Sequence, residues 1–349
     1  MGYWVVYSAV IGAVIGASIA LFRNLPGNRG HKPASPAIED QHQNVLASIR
    51  RPYKALLDTD PTGAGEYKLL ARLGSGGFGT VYLGVRRNGD LAAIKFLSER
   101  LANSSRLRDW FNGELGFGLR ARGGYTPRIL AADLEASRPW VAMEFINAPS
   151  LADIVRVRGP LSSEGVVLFA TTTIRAVMNI HTAGVIHLDL NPSNILLTRD
   201  PLGIRIVDFG ISQAVSGAVA DNRPALSAAG YLSPEQVEGK KPTVASDVFT
   251  WACTVCYAAS GKSPFGTGTP AQLRDRAVRE EPNLPALPAV LTPLVEASLS
   301  KDPRKRPTPQ AIADALPSKP TGIQGMLDGD PSLNKEMQTW RVDPEEPIT

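Results

Sequence analysis

The sequence predicts an α+β fold in two lobes, a sheet-rich lobe followed by a helix-rich one. Short runs of β-branched and aromatic residues come first, at 68–73, 80–85, 91–96 and 139–145, with a glycine-rich stretch at 74–79 separating the first two. Longer segments follow at 164–182, 246–260 and 289–299, where apolar residues recur at helical intervals. Strands grouped ahead of helices, rather than alternating with them, indicate segregated layers.

The chain has 349 residues, 43% hydrophobic and 20% charged, which is ample for a buried core with flanking segments. A net charge of +4 is only mildly basic, and no Lys/Arg run interleaves with aromatics, so nucleic acid is not an expected partner. The two cysteines, Cys253 and Cys256, cannot build a disulfide framework. They lie one helical turn apart in the apolar run 251–259 without a second pair or a His cluster, which predicts core packing rather than metal or redox chemistry.

No charged residue occurs between Tyr3 and Phe22. Twenty residues rising ~1.5 Å each give roughly 30 Å, a bilayer's hydrocarbon thickness, and no basic stretch precedes the run as in a cleaved signal. Residues 1–22 are therefore expected to form a transmembrane helix. Tyr3, Trp4 and Tyr7 mark one end and Arg23, Arg29 and Lys32 follow the other, so the N-terminus is expected outside and the rest in the cytoplasm. Gly12, Gly16 and Ala20 form a stripe on which two such helices could pair as a homodimer. Residues 23–65, rich in proline and polar residues with one short helical stretch at 44–49, read as a flexible tether, and 317–349 as a disordered tail.

The glycine run is Gly74-Ser75-Gly76-Gly77-Phe78-Gly79-Thr80-Val81. A dinucleotide fingerprint would open into a helix, whereas Val81-Tyr82-Leu83 continues a strand, which favours a hairpin flap over phosphates. Ala92-Ala93-Ile94-Lys95 follows, its lysine fourteen residues beyond Val81, with Glu114 farther on. Then come His187-Leu188-Asp189-Leu190-Asn191-Pro192-Ser193-Asn194, Asp208-Phe209-Gly210, Ser233-Pro234-Glu235 and, late in the chain, Arg306.

In order and spacing these runs resemble the protein kinases, and among them the bacterial, especially actinobacterial, serine/threonine kinases of eukaryotic type. The resemblance covers about residues 67–316 and implies a two-lobed kinase fold: a first lobe and hinge at 66–146, with an antiparallel sheet and one helix, and a mainly helical lobe at 147–316. It implies Mg-ATP as the phosphate donor, with Mn²⁺ as a second suitable hard ion, and protein substrates. By the same resemblance Gly74, Gly76 and Gly79 would cover the phosphates, and Lys95, held by Glu114, would contact them. Asp189 would orient the substrate hydroxyl, while Asn194 and Asp208 would ligate the metal. Leu73, Val81, Ala93 and Leu196 would sandwich adenine, with Met143 behind it and Glu144 to Ile146 as the hinge. His187 would pack the loop, Asp247 would anchor it from below, and Glu235 would pair with Arg306.

Three positions depart from the family pattern. Leu188 stands where many kinases carry an arginine that pairs with a phosphorylated activation loop, so that switch is expected to be absent (a non-RD type). Asn191 replaces the lysine that steadies the transferring phosphoryl group, and Ala228 replaces that lysine's threonine partner. Losing a positive donor removes electrostatic stabilisation, on the order of a hundredfold in rate, so low activity is expected. Gly113, Gly116 and Gly118 predict a weakly held helix around Glu114. The leading reading is a membrane-anchored serine/threonine kinase. Its alternative is a pseudokinase that holds nucleotide and signals through partners. A small-molecule phosphotransferase shares the catalytic loop but not the Glu235 and Arg306 pair.

Overall fold

The computed structural model describes residues 44–50, 52–76, 79–98, 124–200, 202–208 and 229–317. The apolar run 3–22, Gly77, Phe78, Glu114 with the helix expected around it, residues 209–228 and the tail beyond 317 lie outside the described residues. Among the described residues no helix is long and apolar enough to cross a membrane.

The first lobe is a six-stranded sheet in the order β1-β2-β3-β4-β6-β5. Its strands are β1 Gly63–Ala64, β2 Tyr67–Gly76, β3 Gly79–Val85, β4 Leu91–Leu97, β5 Ile129–Asp133 and β6 Trp140–Glu144, and every pairing is antiparallel. In β2 the residues Tyr67, Leu69, Ala71 and Leu73 are buried and those between them are partly exposed, the period of two that a half-buried strand requires. Tyr82 stacks edge-on to Phe96 within the sheet, with ring centroids 5.6 Å apart. The β2–β3 turn comes so close to β4 that a Cβ on Gly79 would lie 1.8 Å from the carbonyl oxygen of Phe96, so packing alone demands glycine there.

The second lobe contains α1 Leu151–Arg158, α2 Ser163–Thr182, α3 Pro234–Val237, α4 Val244–Ser260, α5 Pro270–Arg279, α6 Thr292–Ser298 and α7 Pro309–Ala315, with the small hairpin β7 Ile195–Leu197 and β8 Ile204–Ile206. Side-chain caps start most of these helices: Ser150 and Asp153 form a reciprocal capping box on α1, and Thr243 and Ser246 form one on α4. The segment expected to be helical over 289–299 starts only at Thr292, because Pro288 and Pro293 admit a helix no earlier than the turn between them.

Helix α4 is the axis of the lobe. Trp251, Cys253 and Cys256 are fully buried in it, and the Trp251 indole donates to Ala170 O at 3.2 Å and to Thr173 Oγ1 at 3.1 Å on α2. Burial pushes the Cys256 thiol up to about 12 and Cys253 well above its usual value, so neither is a thiolate and both pack as apolar residues.

The stretch expected to be a flexible tether, 23–65, is corrected in its described part. Ile49 is 6% exposed and shares an apolar cluster with Ala71, Leu73 and Leu83. Lys54 and Arg72 exchange backbone hydrogen bonds of 2.8 Å in both directions. Asp60 accepts from Tyr82 Oη at 2.7 Å and pairs with Arg72 at 2.8 Å. Strand β1 then closes onto β2. The segment covers an otherwise open sheet edge, whose unpaired N–H and C=O groups are a liability. Its polar, proline-rich composition concealed this role.

Candidate active site

Three strands bring the expected adenine-binding side chains into register. Val81 faces Lys95 across β3 and β4, Leu83 faces Ala93, and Ala93 faces Met143 across β4 and β6. From below, the hairpin is tied to the hinge region by an isolated bridge between Ser150 and Leu196 and by Leu197 N donating to Pro149 O at 2.8 Å. Leu73, Val81 and Ala93 therefore share one apolar cluster of the sheet, while Leu196 lies against Ser150 just past the hinge. The Glu144 carboxylate meets Arg128 at 3.3 Å, and its N–H donates to Arg128 O at 2.8 Å. Ile146 accepts from Ala148 N at 2.9 Å, rounding the hinge. A Cβ on Gly74 or Gly76 would meet nothing within 4 Å, so the described part of the flap borders open space of the kind a phosphate chain requires.

The β7–β8 hairpin also joins the two expected metal ligands. Ile195 pairs with Ile206, and Val207 N donates to Asn194 O at 2.9 Å, so Asp208 emerges beside Asn194 although fourteen residues separate them. Asp208 meets Lys95 at 3.0 Å, joining the hairpin to the sheet. It holds φ +56°, a left-handed conformation unusual for a non-glycine residue and retained where surroundings over-determine it. A carboxylate and a side-chain amide are hard oxygen donors. Together with phosphate oxygens they suit Mg²⁺, which takes few protein ligands.

The loop that carries Asp189 hangs from α4. The Asp247 carboxylate, fully buried, accepts from His187 N at 2.7 Å, Leu188 N at 2.8 Å and His181 Nε2 at 2.8 Å. His187 is also fully buried, and burial drives its pKa down. Its Nε2 lies 3.2 Å from Val207 O, and its Nδ1 accepts from Asp189 N at 3.3 Å, a pattern that fits the neutral ring. It therefore packs the loop instead of working as a base.

Two amides hold Asp189. Asn191 Nδ2 donates to its Oδ1 at 3.2 Å and Asn194 Nδ2 to its Oδ2 at 3.0 Å, and both also reach its backbone oxygen. Asn191 Oδ1 meanwhile accepts from Ser193 N at 3.0 Å and caps the short turn 192–194. Loss of surrounding water, followed by the nearby charge of Asp208, pushes the Asp189 carboxyl up to about 7 against the pull of the two amides and Lys95.

At the far edge, Arg306 grips Glu235 with two bonds of 2.7 and 2.9 Å and also donates to Ala245 O at 2.9 Å, while Ser246 Oγ donates to Glu235 at 2.7 Å. Burial would raise the Glu235 carboxyl, but these donors outweigh it and hold the group below its usual range. Two polar residues of this frame were not anticipated. His181 supports Asp247 from the last turn of α2. Gln236 accepts from Ser233 N and Oγ at 2.9 Å through Oε1 and donates through Nε2 to Leu188 O at 2.8 Å. A glutamine three residues after a serine at a helix start is the sequence signal of such a cap.

The arrangement therefore gathers Lys95, Asp189, Asn191, Asn194 and Asp208 where the sheet meets the β7–β8 hairpin. The family model described as "Protein kinase domain" matches residues 67–316. The chain is 37% identical over 263 residues to the serine/threonine-protein kinase AfsK of Streptomyces coelicolor, covering 75% of this chain and 33% of that protein. It is 34% identical over 264 residues to the probable serine/threonine-protein kinase PkwA of Thermomonospora curvata, covering 75% and 35% respectively. The chain thus spans about one third of the length of these curated relatives. The crystal structure of the Mycobacterium tuberculosis PknI kinase domain, C20A mutant, shares its fold with a TM-score of 0.56 at 22% identity, covering 74% of this chain and 97% of that one. Sequence match and shared fold agree with the geometry of the slot and its loops, and the chain belongs to the protein kinase family.

Proposed function

We propose that the protein transfers the γ-phosphate of ATP to serine or threonine hydroxyls of protein substrates. The observation that carries this reading is the convergence of Lys95, Asp189, Asn194 and Asp208, from three separate segments, through contacts of 2.9 to 3.0 Å. Chance packing would not bring two hard-oxygen ligands, a buried lysine and a carboxylate of raised pKa to one opening.

Leu73, Val81, Ala93 and Leu196 clasp adenine, Met143 closes the back, and the backbone from Glu144 to Ile146 supplies its polar partners. Gly74, Gly76 and Gly79 shape the flap over the phosphates. Lys95 contacts the α- and β-phosphates, with Glu114 as its carboxylate partner. Asn194 and Asp208 would hold Mg²⁺, whose chemistry would be to neutralise charge on the phosphate oxygens. Asp189 accepts the proton of the substrate hydroxyl as that oxygen bonds to phosphorus and the bond to the β–γ bridging oxygen of ATP breaks, releasing ADP. Asn191 holds the Asp189 carboxylate but brings no positive charge to the phosphoryl group, which makes the enzyme slow. Leu188 offers no cation to a phosphorylated loop, so activity does not depend on one. The apolar run 3–22 and the basic residues after it support a single-pass anchor with the kinase lobes in the cytoplasm, and Gly12 and Gly16 support pairing of two chains.

The test is phosphate transfer from radiolabelled Mg-ATP to a generic basic protein by the purified full chain, beside Asp189→Asn. Transfer that Asp189→Asn abolishes is the expected result. A wild type that binds nucleotide and transfers nothing would overturn the reading.

A further inference from the structure

We propose that residues 44–50 and 52–54 form a built-in wall of the nucleotide slot, with Ile49 a positioning residue for adenine binding and Asn147 the latch that seats it. The inference rests on the reading of the slot as the adenine site and extends it to a segment that lies outside the matched family region, 67–316.

Four observations carry it. Ile49, 6% exposed, belongs to the same apolar cluster as Leu73, and Val81, Ala93 and Phe145 pack against that cluster. Three of the four side chains expected to clasp adenine, together with a hinge residue, therefore share one packing unit with it. Val45, Leu46 and Tyr53 join the same unit, so the segment contributes a run of apolar contacts rather than one. Asn147, just past the hinge, binds the segment at two points: its Oδ1 accepts from Arg50 N at 2.6 Å and its Nδ2 donates to Ser48 O at 3.0 Å. The two bonds bracket Ile49 and fix its depth. Beyond it, the mutual backbone bonds of Lys54 and Arg72 hold the segment to β2 one residue before Leu73.

A slot pays for binding in the ordering of the side chains that close on the ligand, so a wall that fixes them in advance raises affinity without touching the ligand. Ile49 packs with Leu73 in this way, and the Asn147 latch couples hinge and sheet, the two halves that must meet across the adenine. The segment thus acts on nucleotide affinity rather than on the phosphoryl-transfer step.

The test uses the full chain and Mg-ADP as the probe, with affinity measured by calorimetry and melting temperature recorded alongside. Ile49→Ala and Asn147→Ala are compared with Ile49→Val and with Val295→Ala, a truncation in the buried core of the other lobe. The expected result is affinity for Mg-ADP about tenfold weaker in Ile49→Ala and Asn147→Ala. Ile49→Val should stay near wild type, and Val295→Ala should melt earlier yet bind normally. In phosphate transfer the two strap variants should show a raised KM for ATP with kcat little changed. Wild-type affinity in Ile49→Ala, or a loss no greater than in Val295→Ala, would overturn the proposal. A wild type that binds no Mg-ADP would overturn it together with the adenine-slot reading. A wild type that binds Mg-ADP without transferring phosphate would sink only the kinase reading, and the affinities would still decide the role of the wall.

Discussion

Gln236 Nε2 donates to the carbonyl oxygen of Leu188 at 2.8 Å, joining the start of α3 to the residue immediately before Asp189. Leu188 holds φ +65°, and its N–H is taken by Asp247 at 2.8 Å, so its peptide groups are held from two sides in a conformation costly for leucine. Replacing Gln236 by leucine leaves that carbonyl without its donor. A net loss of about 1 to 1.5 kcal/mol is expected, or about tenfold in kcat, with little change in KM for ATP. Steady-state kinetics with urea unfolding on the same sample would separate this from a general loss of stability.

The Glu235–Arg306 pair lies at the opposite extreme of exposure from an ordinary surface ion pair, with side chains 6% and 0% exposed. Removing one partner strands a buried charge, so Arg306→Met should cost about 3 to 5 kcal/mol. Adding Glu235→Leu should restore part of it, because the stranded charge is then gone. Chemical denaturation of the two single variants and the double would show the non-additivity.

Asp189 gives the nucleotide-free protein a pH-dependent stability. Its folded pKa of about 7 lies above the ordinary 3.8, so between those limits the folded state binds more protons than the unfolded one. The Asp189 contribution to stability should therefore fall as pH rises from about 4 through 7 and level off above. Glu235, held below its usual range, works with the opposite sign at more acid pH, and His187, whose pKa burial lowers, works with the opposite sign below about 6.5. Between pH 5 and 8 the melting temperature of Asp189→Asn should therefore gain on that of wild type as pH rises.

Asn191 both caps the turn 192–194 and holds Asp189. Asn191→Lys should supply the missing cation and raise kcat by about tenfold or more, while the lost cap lowers stability by about 1 kcal/mol. Single-turnover transfer and thermal melting would check the two halves separately.

Much of this site could be read from the sequence because its chemistry is local in the chain. Asp189, Asn191 and Asn194 lie within six residues, and the flap before Val81 is one continuous run. The sheet's long strands announced themselves by alternation, and α4 by its apolar length. What escaped was built from distant partners or from very few residues. Arg50 and Asn147 meet across 97 positions, and nothing in a polar, proline-rich stretch announces that Ile49 will be buried. Strands β7 and β8 have three residues each, too short for any period to show, yet they set Asn194 beside Asp208. Asp60 reads as a loop aspartate until Arg72 and Tyr82 are seen around it.

The Asp247 carboxylate has a further consequence for how the protein fails. The amides of His187 and Leu188 are sealed by an acceptor that is itself fully buried in α4. Exchange of those two protons with solvent must wait for the large lobe to open, not for a local fluctuation of the loop. The active loop thus has no separate lifetime of its own: it is lost when the interior of the protein is lost, and not before.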